Sequence, residues 1–260
     1  TAYNDKVGLN GVTVLGNGNY VVSSPEWGGG LGTKLGAVSW ASGVAPTAGI
    51  VSGSNSLVGS NSNDLVGIGG VHIVGYNNYV VNSIFWNQSF GAVTWGSGLF
   101  GVDGVVSSSN SIVGSSPYDR GGLYSIRVLN NGNYIIVSPF WDNGAVQDVG
   151  AVTWGNGNTG TSGVISQSNS LIGTYANDNI GNQGVVVLPN GNYVISSGFF
   201  GLSNGSQEGA VTWGNGSTGT VGIVGEANSM VGSTPNDRIG SDGGRSFSNN
   251  RAVIFSPNWD

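Results

Sequence analysis

Short apolar runs alternate with breaks rich in Gly, Asn and Ser along the whole chain, and the runs recur in a fixed order. Val12–Thr13–Val14–Leu15 is a β-branched run followed by Gly16–Asn17–Gly18. Asn-Gly between two such runs signals a hairpin, because a type I′ turn needs positive φ. Asn19–Tyr20–Val21–Val22–Ser23–Ser24 then reads as the return strand, and Pro25 stops it, since proline has no N–H to give to a ladder. Trp27 opens a Gly-rich loop. Gly36–Ala37–Val38–Ser39–Trp40 is a third strand, and a second loop through Gly49–Ile50–Val51 leads to a fourth strand region at Ser54–Gly59. No segment of useful length carries a helical 3.6-residue apolar period.

The same plan returns along the chain. Asp5–Lys6–Val7–Gly8 recurs as Asp64–Leu65–Val66–Gly67, Asp119–Arg120–Gly121–Gly122, Asp178–Asn179–Ile180–Gly181 and Asp237–Arg238–Ile239–Gly240, at steps of 59, 55, 59 and 59 residues. The third strand recurs as Gly91–Ala92–Val93–Thr94–Trp95 and again ending at Trp154 and Trp213. The shorter copy loses four residues between Trp86 and Gly91, where an indel belongs if that stretch is a loop. Four short antiparallel strands at this period match one β-propeller blade, with a β-helix or β-prism as alternatives. The expectation is one all-β repeat domain over 1–260, with blades near 5–63, 64–118, 119–177, 178–236 and a partial 237–260. The partial copy adds two strands, Arg245–Phe247 and Ala252–Ser256. A five-bladed ring with a half blade and a piece of a longer array both account for it.

Composition narrows the function classes. Charged residues are 8% of the chain while apolar alternation is regular, the opposite of a disordered composition. Net charge is −6 and the seven basic residues are scattered, so nucleic acid is not an expected partner. No apolar run reaches the length of a membrane-spanning helix, and the polar Thr1–Asn10 does not read as a signal peptide. The absence of cysteine removes disulfides, thiolate catalysis and cysteine-ligated zinc. An Asn-, Ser-, Thr- and Gly-rich surface with few lysines suits a secreted or surface-displayed bacterial protein.

With the strands placed, the order Asp-x-Val/Ile-Gly, Asn-Gly-Asn-Tyr-Val-Val-Ser-Ser-Pro and Gly-Ala-Val-Thr-Trp resembles the FG-GAP blade of integrin-α-type propellers. Ser23–Ser24–Pro25 matches its GAP-like end, and Gly36–Ala37–Val38 its third-strand opening. The repeats are also similar to Asn/Gly-rich repeats of filamentous-haemagglutinin-type bacterial surface proteins. The FG-GAP resemblance implies a calcium loop between strands one and two in many blades. Here that loop is Gly16–Asn17–Gly18, Asn130–Asn131–Gly132 or Pro189–Asn190–Gly191. Calcium needs several carboxylate oxygens, so no metal and no cofactor are expected.

Enzyme chemistry has little to rest on. His72 is the only histidine and lies in a strand between Val71 and Ile73, where it reads as structural. Asp142 and Asp148 flank one loop only, and nothing marks them as a glycosidase pair. The recurring aspartates read first as turn formers that bond nearby backbone N–H groups. The aromatics after strand two (Trp27, Trp86, Trp141, Phe200, Trp259) read first as packing between blades, as does the series Trp40, Trp95, Trp154 and Trp213. In an up-and-down blade, however, the four-to-one linker and the two-to-three loop emerge on one face. Trp27, Trp86, Trp141, Phe200, Trp259, Asp64, Asp119, Arg120, Asp178, Asp237 and Arg238 therefore share a surface. Aromatic faces beside fixed polar groups suit sugars, and repetition makes weak sites multivalent. The reading is a non-enzymatic adhesion or glycan-binding module. A structural spacer or protein-interaction scaffold, able to self-associate through its last blade, is the alternative.

Overall fold

A computed structural model describes residues 5–30, 32–119 and 125–260. The chain falls into two compact units, Thr1–Leu123 with Asn156–Val164, and Tyr124–Gly155 with Ile165–Asp260.

In the first unit, repeat one contributes β1 (Val12–Val14), β2 (Tyr20–Ser24), β3 (Ala37–Ala41) and β4 (Leu57–Val58). Repeat two contributes β5 (Val71–Val74), β6 (Asn78–Ser83), β7 (Ala92–Gly96), β8 (Gly104–Val105) and β9 (Ser111–Val113). In the second unit, repeat three supplies β10 (Ser125–Val128), β11 (Tyr134–Ser138), β12 (Ala151–Gly155) and β14 (Ser170–Ile172). Its β13 (Gly163–Val164) belongs to the first unit. Repeat four gives β15 (Val185–Val187), β16 (Tyr193–Ser197), β17 (Ala210–Gly214), β18 (Gly222–Ile223) and β19 (Ser229–Val231). The partial copy forms a hairpin of β20 (Gly244–Ser246) and β21 (Ala252–Ile254).

The four expected strands of each repeat pair antiparallel in sequence order, as in β5-β6-β7-β9. The hairpin turn differs from the expected type I′. Gly16 and Asn17 stay out of the positive-φ region and only Gly18, at +86°, enters it. The Gly18 N–H reaches the Leu15 carbonyl, and the Leu15 N–H reaches that of Asn19. This is a longer turn relaxed by one left-handed glycine.

The pattern also misses a fifth strand in three sheets. A two-residue Gly-Val or Gly-Ile step, in the loop between strands three and four, pairs in parallel with strand four of the preceding repeat. β8 lies on β4, β13 on β9, and β18 on β14. Each of these sheets is thus completed by its C-terminal neighbour. The all-β repeat architecture has antiparallel sheets of four or five strands.

Alternation along the strands fills the cores. In the first unit Val21, Val38, Leu57, Val66, Tyr79, Val81 and Val113 pack together, with Trp40 and Trp86 against them. In the second, Leu129, Ile135, Val137, Leu171, Ile180 and Ile195 form the corresponding cluster with Trp154. Burial pushes the Tyr79 and Tyr134 hydroxyls up, and that of Tyr193 up to about 12 against its hydrogen bonding with Thr220. Hydroxyls pair between strands three and four, Thr94 with Ser111 and Thr153 with Ser170, each at 2.7 Å. His72 is part-buried on β5, and burial holds its imidazole below the usual range.

Candidate functional site

The recurring aspartates lie in the linker where one repeat ends and the next begins, and all five are buried, between 1% and 6% exposed. Asp64 shows why the sequence needs them. Its Oδ2 accepts the backbone N–H groups of Ser60 (2.9 Å) and Asn61 (2.8 Å), closing the linker turn. Its Oδ1 accepts the N–H of Asn87 at 2.8 Å, from the loop after β6. Asp178 repeats this with Thr174, Tyr175 and Gly201, at 2.8, 2.8 and 3.1 Å. Asp5 Oδ1 likewise accepts from Gly28. Asp119 takes the N–H groups of Ser115 and Ser116, both at 2.6 Å. The linker and the aromatic loop do meet, and the carboxylate is the clasp that joins them.

The glycine that follows three residues later is held from the same side. The N–H groups of Gly8, Gly67, Gly181 and Gly240 donate to the hydroxyls of Ser24, Ser83, Ser197 and Ser256, at the end of strand two. The Asp-x-Val-Gly and Ser-Ser-Pro motifs are therefore two halves of one internal contact.

Asp178 and Asp237 differ electrostatically. Burial pushes the Asp178 carboxyl up, three backbone N–H groups pull against it, and the Glu208 charge adds to the rise. In the partial copy Asp237 Oδ1 accepts instead from the Thr234 hydroxyl at 2.6 Å. That bond, with the Ser233 and Thr234 N–H groups, lowers its pKa to about 2.

The aromatic series does not form an exposed platform. Trp27, Trp141 and Phe200 are 7%, 2% and 2% exposed, and Trp86 is part-buried against the core. Among the described residues, the indole N–H groups of Trp86 and Trp141 are buried with no hydrogen-bond partner. Only Trp259, at 64%, stands open. Arg238 stacks over the Phe199 ring at 5.7 Å and donates to Gln207 Oε1 at 2.6 Å. Arg120 lies outside the described residues. The physical reason for the difference is area: a large ring beside a thin sheet gains more from burial than from water contact.

The sequence reading missed the chemistry of the other tryptophan series. The Trp40 indole N–H donates to the Gly98 carbonyl at 3.1 Å, and that of Trp95 to Gly157 at 3.0 Å. Trp154 donates to Gly216 at 3.0 Å. The hairpin asparagines converge on the same oxygens: Asn17 and Asn19 on Gly98, Asn78 on Gly157, and Asn131 and Asn133 on Gly216. The constant three-residue spacing from tryptophan to glycine was the available signal.

One depression is not a product of the repeat. It has a volume of about 640 Å³ and lies where the loop after β6 is four residues shorter, lined by Asn61, Asn63, Phe85, Gln88 and Tyr118 among others. Tyr118 and Phe85 are 69% and 38% exposed. Asn87 and Gln88 hold φ of 48° and 58°, a left-handed run of non-glycine residues forced by the short loop.

A search of curated proteins finds no match to this chain. Residues 14–68, 74–123, 128–182 and 187–241 each match one repeat, described as a repeat of unknown function, DUF5650. These boundaries run from the end of strand one to the Asp-x-Val-Gly of the following copy, so each matched unit carries the serine side of one contact and the aspartate side of the next, whose partners lie in the following unit. With four such matches spread over most of its length, the chain belongs to the DUF5650 repeat family.

Proposed function

We propose that this chain is a non-enzymatic β-repeat scaffold of a secreted or surface-displayed protein, whose specific contacts are made with other repeats. The observation that carries this reading is where the recurring polar groups are spent. The clasp aspartates accept backbone N–H groups of their own chain, and the Trp40, Trp95 and Trp154 indole N–H groups donate to glycine carbonyls of the next repeat. A multivalent glycan surface needs the opposite, repeated polar and aromatic groups facing water. At a finer level we read each four-stranded antiparallel unit as a propeller-type blade, in keeping with its likeness to FG-GAP motifs.

The full chain on a glycan array tests this. The scaffold reading expects no saturable signal. A saturable hit that Tyr118→Ala or Phe85→Ala abolishes would replace it with sugar binding at the depression beside the short loop.

A further inference from the structure

One binding arrangement is filled three times within the chain and stands open once. In repeats one to three, strand four pairs with the Gly-Val/Ile step of the next repeat, and the tryptophan ending strand three donates to a glycine carbonyl in the same segment. The pairing extends beyond the two bridged residues: the Val106 N–H reaches Val58 O at 3.1 Å, and that of Val224 reaches Ile172 O at 2.9 Å.

Repeat four has every part of this socket and, among the described residues, no occupant. β19 ends its sheet. Met230 is 74% exposed, whereas its equivalents Leu57, Ile112 and Leu171 are at 0–2%. Trp213 is 52% exposed while Trp40, Trp95 and Trp154 are part-buried. Asn190 and Asn192 stand where Asn131 and Asn133 converge on the Gly216 carbonyl one repeat earlier. Beside β19, Val211, Met230, Ile239, Ile254 and Trp259 line an apolar depression of about 470 Å³.

The chain also carries a segment of the docking type that is itself undocked. Residues 43–50 are all exposed, with Ile50 at 76%, and Gly43 is exposed where Gly98, Gly157 and Gly216 are buried. This segment differs at one decisive position. Gly101, Gly160 and Gly219 lie against Trp40, Trp95 and Trp154 with φ between 76° and 78°. A Cβ there would fall 2.6–2.9 Å from the tryptophan Cβ. Repeat one has Pro46 at that position. Proline fixes φ near −65° and brings ring atoms into the contact, so this segment does not fit the socket.

We propose that the open edge of repeat four binds the strand-three-to-four segment of a further repeat of this family, one with glycine where residues 43–50 carry Pro46. Binding adds a parallel strand to β19 and delivers a glycine carbonyl to the Trp213, Asn190 and Asn192 donors, a form of β-augmentation. The proposal rests on the scaffold reading and adds to it the chemistry of the partner. A second copy of this chain does not satisfy it, because its free segment is the proline-bearing one.

The test extends the full chain beyond Asp260 by a copy of residues 202–236, with either glycine or proline at the position matching Gly219. Amide hydrogen exchange is followed over β19 and β21. The glycine version should slow exchange at β19 by about tenfold or more relative to the parent. The proline version should protect β21, through the added third strand, and leave β19 unchanged. Equal slowing of β19 in both versions, or none in the glycine version while β21 is protected, overturns the proposal. If neither strand is protected, a peptide of residues 214–224 added in trans decides: slowing at β19 supports the proposal, and the parent rate at millimolar peptide overturns it. The glycan array bears only on the scaffold reading, so the two can fail separately.

Discussion

Asp178 shows how much one carboxylate can organise. Removing it leaves the N–H groups of Thr174, Tyr175 and Gly201 without their acceptor, the first two part-buried and the last buried. Asp178→Ala should cost about 2–4 kcal/mol, since unsatisfied buried donors cost more than the bond itself contributes, and urea denaturation measures it. Asp237 gives the pH counterpart. Its folded pKa of about 2 lies below the usual carboxylate value, so its contribution is present above the unfolded pKa and is lost as pH falls through about 2. Thr234→Val removes the largest cause of that depression, and an NMR titration of the Asp237 carboxyl should move up towards the ordinary range near ~3.9. The aspartates were legible as turn formers because Asp beside Gly has few other local uses. Their second bond, to the loop after strand two, was not legible, because it joins groups 23 residues apart with no side-chain signal at the donor end.

The strands were readable wherever an apolar run met a breaker, which is why strand one of the first repeat and strands two to four of every full repeat were placed from the pattern. β8, β13 and β18 were not. A two-residue Gly-Val or Gly-Ile step carries no periodicity, and its partner lies in a different repeat. The tryptophan at the end of strand three was read as filling, which accounts for its ring and misses its N–H. The bond can be measured by contrast. Trp154→Phe should lose about 1 kcal/mol, since the Gly216 carbonyl keeps Asn131 and Asn133 but loses one donor. Trp213→Phe should change stability by a few tenths of that, because its indole has no acceptor among the described residues.

For the molecule as a whole, repeats that share strands should behave as neighbours coupled along a line, with stability shared between adjacent units. The strand lent backwards also gives wear a direction. Residues 217 and 218 are exposed on a loop tip, the kind of place where a protease cuts first. A nick there would leave repeat four's own four strands intact and loosen β18 from β14, uncovering Leu171 in repeat three. Damage in this chain therefore appears one repeat towards the N-terminus of the cut, and a cleavage map would point to the wrong unit unless read with that offset.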